Sequence, residues 1–225
     1  MQLAAKELQQ LFDTLLQTYG PQHWWPAQSP FEIAVGAILV QRTAWRNAEL
    51  AIEALRQAQL LAPLELQKLK SGRLQRLIKP AGFAVAKAAY LKAISDFLVH
   101  NGGIDALRAW PTSKLRDTLL AVHGVGPETA DALLLYLFER PVWVADAYAE
   151  RIFSRLTGSC CNADEQRERL AGWYTQARVA QLQELHALLV AHGKERCRVR
   201  PRCQGCALRD GCVFVASASG SQRSR

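Results

Sequence analysis

Leu120-Ala121-Val122-His123-Gly124-Val125-Gly126-Pro127-Glu128-Thr129-Ala130 is the stretch whose reading decides the fold. A helical pattern runs into Gly-Val-Gly and restarts at once, so two helices meet in a tight hairpin. The two glycines permit positive φ and leave the backbone bare. Backbone N–H groups at the start of the following helix, aided by its dipole, can then grip a phosphate. Pro127 lacks an N–H but suits the first helical position, so the turn keeps its shape with one donor fewer. Read alone, the motif is equally compatible with a plain helical hairpin.

Outward from this hairpin the 3.6-residue period continues almost everywhere. Leu8, Leu11, Phe12, Leu15 and Leu16 form one stripe over residues 3–16, and Gly20-Pro21 ends that helix. Ser29-Pro30-Phe31-Glu32 reads as an N-cap, a proline at the first helical position and a capping-box glutamate. The helix it opens is apolar nearly all round, which predicts a central position. Further helices are expected at 45–59, 63–70, 84–100 and 113–122, separated by breaks such as Lys79-Pro80-Ala81-Gly82 and Asn101-Gly102-Gly103. Pro141-Val142-Trp143-Val144 leans towards β but is too short and isolated to pair. The expected class is all-α. The Ser/Gly/Arg-rich end of the chain is expected to form a mobile tail over 213–225.

The 225 residues suffice for one large or two small domains at roughly 150 residues each. Apolar residues make up 49% and charged residues 21%, which excludes a disordered or low-complexity chain. The longest apolar runs, Phe31 to Val40 with Glu32 inside it and Ala132 to Phe138, fall short of the ~18 residues a membrane span needs. The first residues lack a basic segment followed by an apolar one, so a cytoplasmic protein is expected, nucleoid-associated if bacterial. Lys plus Arg total 28 against 20 acidic residues, a net charge of +8, for which a polyanion is the natural partner. Lys194, Arg196, Arg198, Arg200 and Arg202 crowd into nine residues around a cysteine.

That cysteine opens the series Cys197-x5-Cys203-x2-Cys206-x5-Cys212. Four thiolates within 16 residues can wrap one metal centre, and a chain with no secretory signal argues for metal before disulfides. Tetrahedral zinc sites show two close cysteine pairs, whereas this series has one central pair with equal flanks, which favours an iron-sulfur cluster while leaving zinc open. Adjacent Cys160 and Cys161 point apart and read as structural. Asp146, in Val144-Ala145-Asp146-Ala147-Tyr148, opens a helix after the extended segment; taken alone it is an N-cap.

With hairpin, aspartate and cysteine series in this order, the chain resembles the endonuclease III superfamily of helix-hairpin-helix DNA glycosylases over roughly residues 30–212. The resemblance implies a six-helix module carrying the hairpin at 29–138. A second helical module would be made of 1–28 with 139–212, holding a 4Fe-4S cluster on Cys197, Cys203, Cys206 and Cys212. The active site would lie in the cleft between the two. It places the catalytic aspartate on Asp146 and the hairpin glycines on Gly124 and Gly126. It also places on Gln41, in Val40-Gln41-Arg42-Thr43, the helix-initial glutamine that fills the gap left by a flipped base. Gln41 is equally compatible with a polar residue bonded to a loop.

Two departures refine the expectation. Lyase members of the family carry a lysine two residues after the second hairpin glycine, where this chain has Glu128. Without an amine there is no Schiff-base nucleophile, so abasic-site lyase activity is expected to be weak or absent. The first cysteine gap is five residues where the best-known members have six. Glu128 in place of that lysine, together with Trp24-Trp25-Pro26 before the second helix and Trp45 beyond Gln41, looks like the branch that excises alkylated purines such as 3-methyladenine. Trp24, Trp25, Pro26, Trp45 and Glu128 are the base-pocket candidates, with core packing the open alternative for the tryptophans. Duplex DNA with a damaged base is the expected partner of a monomer, held by Gln41, Gly124, Val125, Gly126, Thr129, Arg198, Arg200 and Arg202. The rivals are a glycosylase of the same fold for uracil, mismatched thymine or oxidised pyrimidines, and a DNA-binding relative without catalysis.

Overall fold

All regular structure among the described residues is helical and no strand forms. The computed structural model describes residues 5–173, 175 and 178–220. The chain divides into two units, Trp25–Arg140 and a second made of the residues up to Trp24 with those from Pro141 onward. None of the described helices is long and apolar enough to cross a membrane.

Helix α1 (Ala5–Tyr19) belongs to the second unit. The Trp25–Arg140 unit contains α2 (Pro30–Leu39), α3 (Trp45–Gln57), α4 (Pro63–Lys68), α5 (Ser71–Leu77), α6 (Ala84–His100), α7 (Gly103–Arg108), α8 (Thr112–Leu120) and α9 (Pro127–Ala132). A π-helical turn, Leu133–Leu137, follows α9. These are eight helices where six were expected. Helix α4 falls within the stretch expected at 63–70, and the two additional helices, α5 and α7, bury one leucine each, Leu74 and Leu107, so they carry no apolar period to read.

Helix α2 is central because it is covered on every side, by α3, α6, α9 and the π turn. Phe31, Ala34, Val35, Ile38 and Leu39 are all buried. Its start follows the local code: Ser29 Oγ accepts the Glu32 N–H at 3.3 Å, and Pro30 occupies the first turn. Glu32 does not complete the expected capping box with Ser29. At 3% exposed it reaches one residue further back, accepting from the Gln28 N–H at 3.1 Å, and pairs with Arg56 of α3. The other end of α2 is closed by Lys87 of α6, whose Nζ donates to the Leu39 and Ala81 carbonyls at 2.8 Å each. Burial pushes that ammonium's pKa down, and the two carbonyls are the compensation that makes a buried lysine tolerable.

The second unit joins α1 to α10 (Ala147–Thr157), α11 (Ala163–Arg169), α12 (Val179–Glu195) and α13 (Val213–Gly220). Helix α12 packs against both α1 and α10. The stripe read from the sequence turns inward, with Leu8, Leu11, Phe12 and Leu15 buried and Leu16 half-buried at its edge. Trp143, in the extended connector before α10, is fully buried, and its Nε1 donates to Gln166 Oε1 at 2.9 Å. Cys160 is exposed and Cys161 buried, each a free thiol, and burial raises the Cys161 pKa.

The expected tail begins instead with helix α13. Val213 packs over Gly158, where an added Cβ would come within 2.6 Å of it, and the Phe214 ring lies 5.0 Å from the Arg155 guanidinium. These two apolar side chains give the segment a partner in α10 that its Ser/Gly-rich composition conceals. Residues 221–225 of that expected tail lie outside the described residues.

Candidate functional site

The hairpin is held from three directions inside its own unit. Arg116 of α8 donates to Asp131 of α9 through Nε at 2.7 Å and Nη2 at 3.2 Å, clamping the two helices together. Tyr90 of α6 stacks edge-on against His123 at 5.0 Å. Gln41 donates through Nε2 to the Gly124 carbonyl at 2.9 Å and to Thr129 Oγ1 at 3.1 Å. Three of the DNA-contact candidates therefore meet at one place, with Gln41 bonded to the loop. Gln41 does not start a helix: it lies in the turn after α2, and Arg42 at φ 52° breaks the chain before α3 begins at Trp45. Trp45 is the first residue of α3, separated from Gln41 by that turn.

Only one hairpin glycine uses its conformational freedom. Gly124 sits at φ +87°, and an added Cβ would meet Tyr90 Cγ at 2.1 Å. Gly126 is an extended N-cap with φ −89° and open space where a Cβ would stand. It is exposed, whereas Val125 is buried and its N–H is taken by the Val122 carbonyl at 3.0 Å. Val125 is thus a packing residue of the turn, while Gly126 presents bare backbone. Gly124→Ala is expected to lower stability by roughly 2–4 kcal/mol, combining a left-handed φ with a backbone-to-ring clash. Gly126→Ala is expected to change it by less than about 1 kcal/mol. Thermal melts of the two variants, compared with the unaltered protein, check this pair.

The base-pocket candidates separate. Trp25 and Trp45 pack edge-on at 5.6 Å, and Trp25 also meets Tyr136 of the π turn at 5.2 Å. Trp25 lies so close over α2 that a Cβ on Gly36 would come within 2.8 Å of its Nε1. Both indoles are half-buried, while Pro26 and Glu128 are exposed. Trp24 belongs to the other unit, edge-on to His186 at 5.9 Å and 5.8 Å from Lys194 Nζ.

Asp146 is the N-cap of α10, and its Oδ1 accepts the Ala149 N–H at 2.7 Å. It is 8% exposed, and Oδ2 lies 3.6 Å from His186 Nε2. Desolvation pushes the Lys194 ammonium pKa down, opposed by the charge of Asp146. The side chain thus caps α10 with one oxygen and leaves the other facing His186.

Cys197, Cys203, Cys206 and Cys212 line one open cavity against α10 and α12, together with Ile152, Leu156 and His192. Among the described residues no three His, Cys, Asp or Glu side chains are close enough to hold a single metal ion. Burial raises the Cys206 pKa, and the other three cysteines raise it further. Two arginines on one face of α10, missed in the sequence reading, pin the loop. Arg151 Nε donates to the Cys197 carbonyl at 2.7 Å. Arg155 donates to the Arg198 and Val199 carbonyls at 2.6 and 2.9 Å and to Cys197 Sγ at 3.3 Å. Their i, i+4 spacing was the available signal. His192 is buried between Tyr19, whose hydroxyl lies 2.9 Å from Nδ1, and Cys206, whose Sγ lies 3.7 Å from Nε2. Burial, with Arg196 adding to it, pushes the His192 pKa down to about 4; burial first and Glu195 next push Tyr19 up to about 12. Arg198, Arg200 and Arg202 are exposed, and Arg198 Nε donates to the Lys194 carbonyl at 2.6 Å.

The family described as the HhH-GPD superfamily of base excision DNA repair proteins matches residues 35–176. A candidate DNA repair glycosylase of Methanocaldococcus jannaschii is 39% identical over 210 residues, covering 90% of this chain and 94% of its own. A crystal structure of an H. pylori 3-methyladenine DNA glycosylase bound to 1,N6-ethenoadenine superposes with a TM-score of 0.70 at 24% identity, covering 84% of this chain and 96% of that one. A non-covalent endonuclease III–DNA complex superposes with a TM-score of 0.77 at 18% identity, covering 97% and 99%.

Proposed function

The chain belongs to the HhH-GPD superfamily of base excision DNA repair proteins, and from that premise we propose that it is a monofunctional DNA N-glycosylase releasing alkylated purines such as 3-methyladenine. The observation that carries the reading is Asp146, a nearly buried carboxylate fixed by the Ala149 N–H, in a chain whose hairpin offers Glu128 in place of an amine. Gly124, Gly126 and Thr129 of the hairpin, with the exposed Arg198, Arg200 and Arg202, would hold the phosphates in a salt-sensitive, largely sequence-independent way. The lesion base would leave the stack and lie against the Trp25–Trp45 pair.

As the C1′–N bond breaks, its electron pair neutralises the cationic purine, which therefore leaves without a strong general acid. Asp146 stabilises the positive charge that develops on the sugar and takes a proton from the water that bonds to C1′. A carboxylate performs both tasks, and no covalent enzyme–sugar bond is formed. A 3-methyladenine DNA glycosylase of the same fold is bound to 1,N6-ethenoadenine, which supports an altered purine as the lesion class.

We infer that Cys197, Cys203, Cys206 and Cys212 hold a 4Fe-4S cluster. All four half-buried cysteines line one cavity, and a single central C-x2-C pair with equal flanks suits a cluster that presents separate irons to separate thiolates. Bound there, the cluster would cross-link a loop that has little apolar core of its own.

The deciding experiment is a panel of duplexes carrying 3-methyladenine, 7-methylguanine, hypoxanthine, uracil, thymine glycol or a natural abasic site, scored for strand scission with and without alkali. Methylated purines are expected to give scission only after alkali, with no borohydride-trapped adduct on abasic DNA. Excision confined to uracil, mismatched thymine or oxidised pyrimidines would assign another lesion class, and a trapped adduct would end the monofunctional reading. Within the panel, Trp45→Ala is expected to reduce 3-methyladenine excision by about 10-fold, from the loss of stacking and a cation–π contribution of ~1–2 kcal/mol. Its melting temperature should fall by only a few degrees. Trp25→Ala should cost more stability, because Trp25 also fills the space above Gly36. A Trp45→Ala protein that melts much lower yet excises at the normal rate would return Trp45 to the core.

A further inference from the structure

Around Asp146 the second unit gathers side chains that the reaction described above does not use: His186, Trp24, Trp143 and Lys194. We infer that His186 is a positioning residue for Asp146, its Nε2–H restraining Oδ2 while Trp24 and Trp143 hold the imidazole in place. The inference rests on the reading of Asp146 as the catalytic carboxylate.

The geometry divides the carboxylate's two oxygens between two donors. Oδ1 receives the Ala149 N–H at 2.7 Å, and Oδ2 faces His186 Nε2 at 3.6 Å. The second separation is longer than a hydrogen bond. Such contacts commonly tighten only when substrate arrives. His186 is 5% exposed on the buried side of α12, beside Leu182, Leu185 and Leu189. The Trp24 ring meets it edge-on at 5.9 Å and 77°, and the Trp143 ring at 6.2 Å and 90°. Trp143 is itself fully buried and bonded to Gln166. An imidazole clasped in this way cannot swing off its partner, so it limits the orientations open to Asp146.

The choice of imidazole suits the chemistry. An imidazole N–H orients a carboxylate through a single donor set at a fixed point on a rigid ring. Lys194, the nearby cation, is instead placed against the face of Trp24.

The test compares His186→Phe, which keeps a ring between the two indoles but removes the donor, with His186→Gln, whose amide N–H reaches a similar point. Single-turnover release of 3-methyladenine and the half-saturating DNA concentration are measured together. His186→Phe is expected to lower the rate constant roughly 10- to 100-fold, the range for a lost bond to a charged group, with half-saturation changed by less than about 3-fold. His186→Gln should stay within about 5-fold of the unaltered rate. A His186→Phe protein at the normal rate overturns the inference, as does an equal loss in both variants, which marks a packing role. Should His186→Phe fail to fold, Trp24→Leu, which opens the clasp on one side, is read in the same assay. It is expected to lower the rate about 3- to 10-fold, and a normal rate again overturns the inference. If the unaltered protein releases no base from any duplex of the panel, the glycosylase reading itself has failed and the inference falls with it.

Discussion

Asp146→Asn is expected to reduce base release by roughly 10³-fold, about 4 kcal/mol of transition-state stabilisation, while leaving DNA binding and melting temperature nearly unchanged. The structural basis is the double role of this side chain. Its Oδ1 caps α10 through the Ala149 N–H at 2.7 Å, and the amide oxygen of asparagine caps a helix as well as a carboxylate does. The substitution therefore removes charge and proton-accepting capacity without removing the cap. Asp146→Ala removes both and should additionally cost about 1 kcal/mol of stability. Single-turnover kinetics, gel-shift titration and thermal melts on the two variants separate the roles. An Asp146→Asn protein with near-normal turnover would leave Asp146 as a cap only.

Cys203→Ser is expected to abolish the broad absorbance near ~410 nm that thiolate-ligated iron gives and to lower the melting temperature by about 10 °C or more. Residues 196–212 contain no regular helix, and the four cysteines that border their cavity are only half-buried. Arg151 and Arg155 tie the first half of the loop to α10 through backbone carbonyls. The second half depends on whatever the thiolates bind. Exposed Cys160 makes the matched control: Cys160→Ser should shift melting by less than about 2 °C. Iron and sulfide analysis completes the measurement. A colourless protein with stoichiometric zinc and no sulfide would replace the cluster with a mononuclear site.

The sequence by itself determined the features that rest on local physics. Apolar period and N-cap chemistry located α2 and the inward stripe of α1, because capping and amphipathicity depend only on neighbours along the chain. The order of hairpin, aspartate and cysteine series pointed to the superfamily, since those residues cluster within short segments. Local patterning could not show α5 and α7, where a single buried leucine replaces a period. Nor could it show α13, whose helix depends on Gly158 and Arg155 more than 50 residues earlier. Gly124 and Gly126 look equivalent as letters, yet only the packing of Tyr90 against the turn gives the first its left-handed φ its second constraint. The tertiary structure also divided three neighbouring tryptophan candidates, setting Trp25 beside Trp45 and Trp24 beside His186. It alone brought His186, 40 residues further along the chain, to the carboxylate of Asp146. Side chains that meet through the packing of separate helices leave no spacing in the sequence, because their proximity is a property of the folded core and not of the chain.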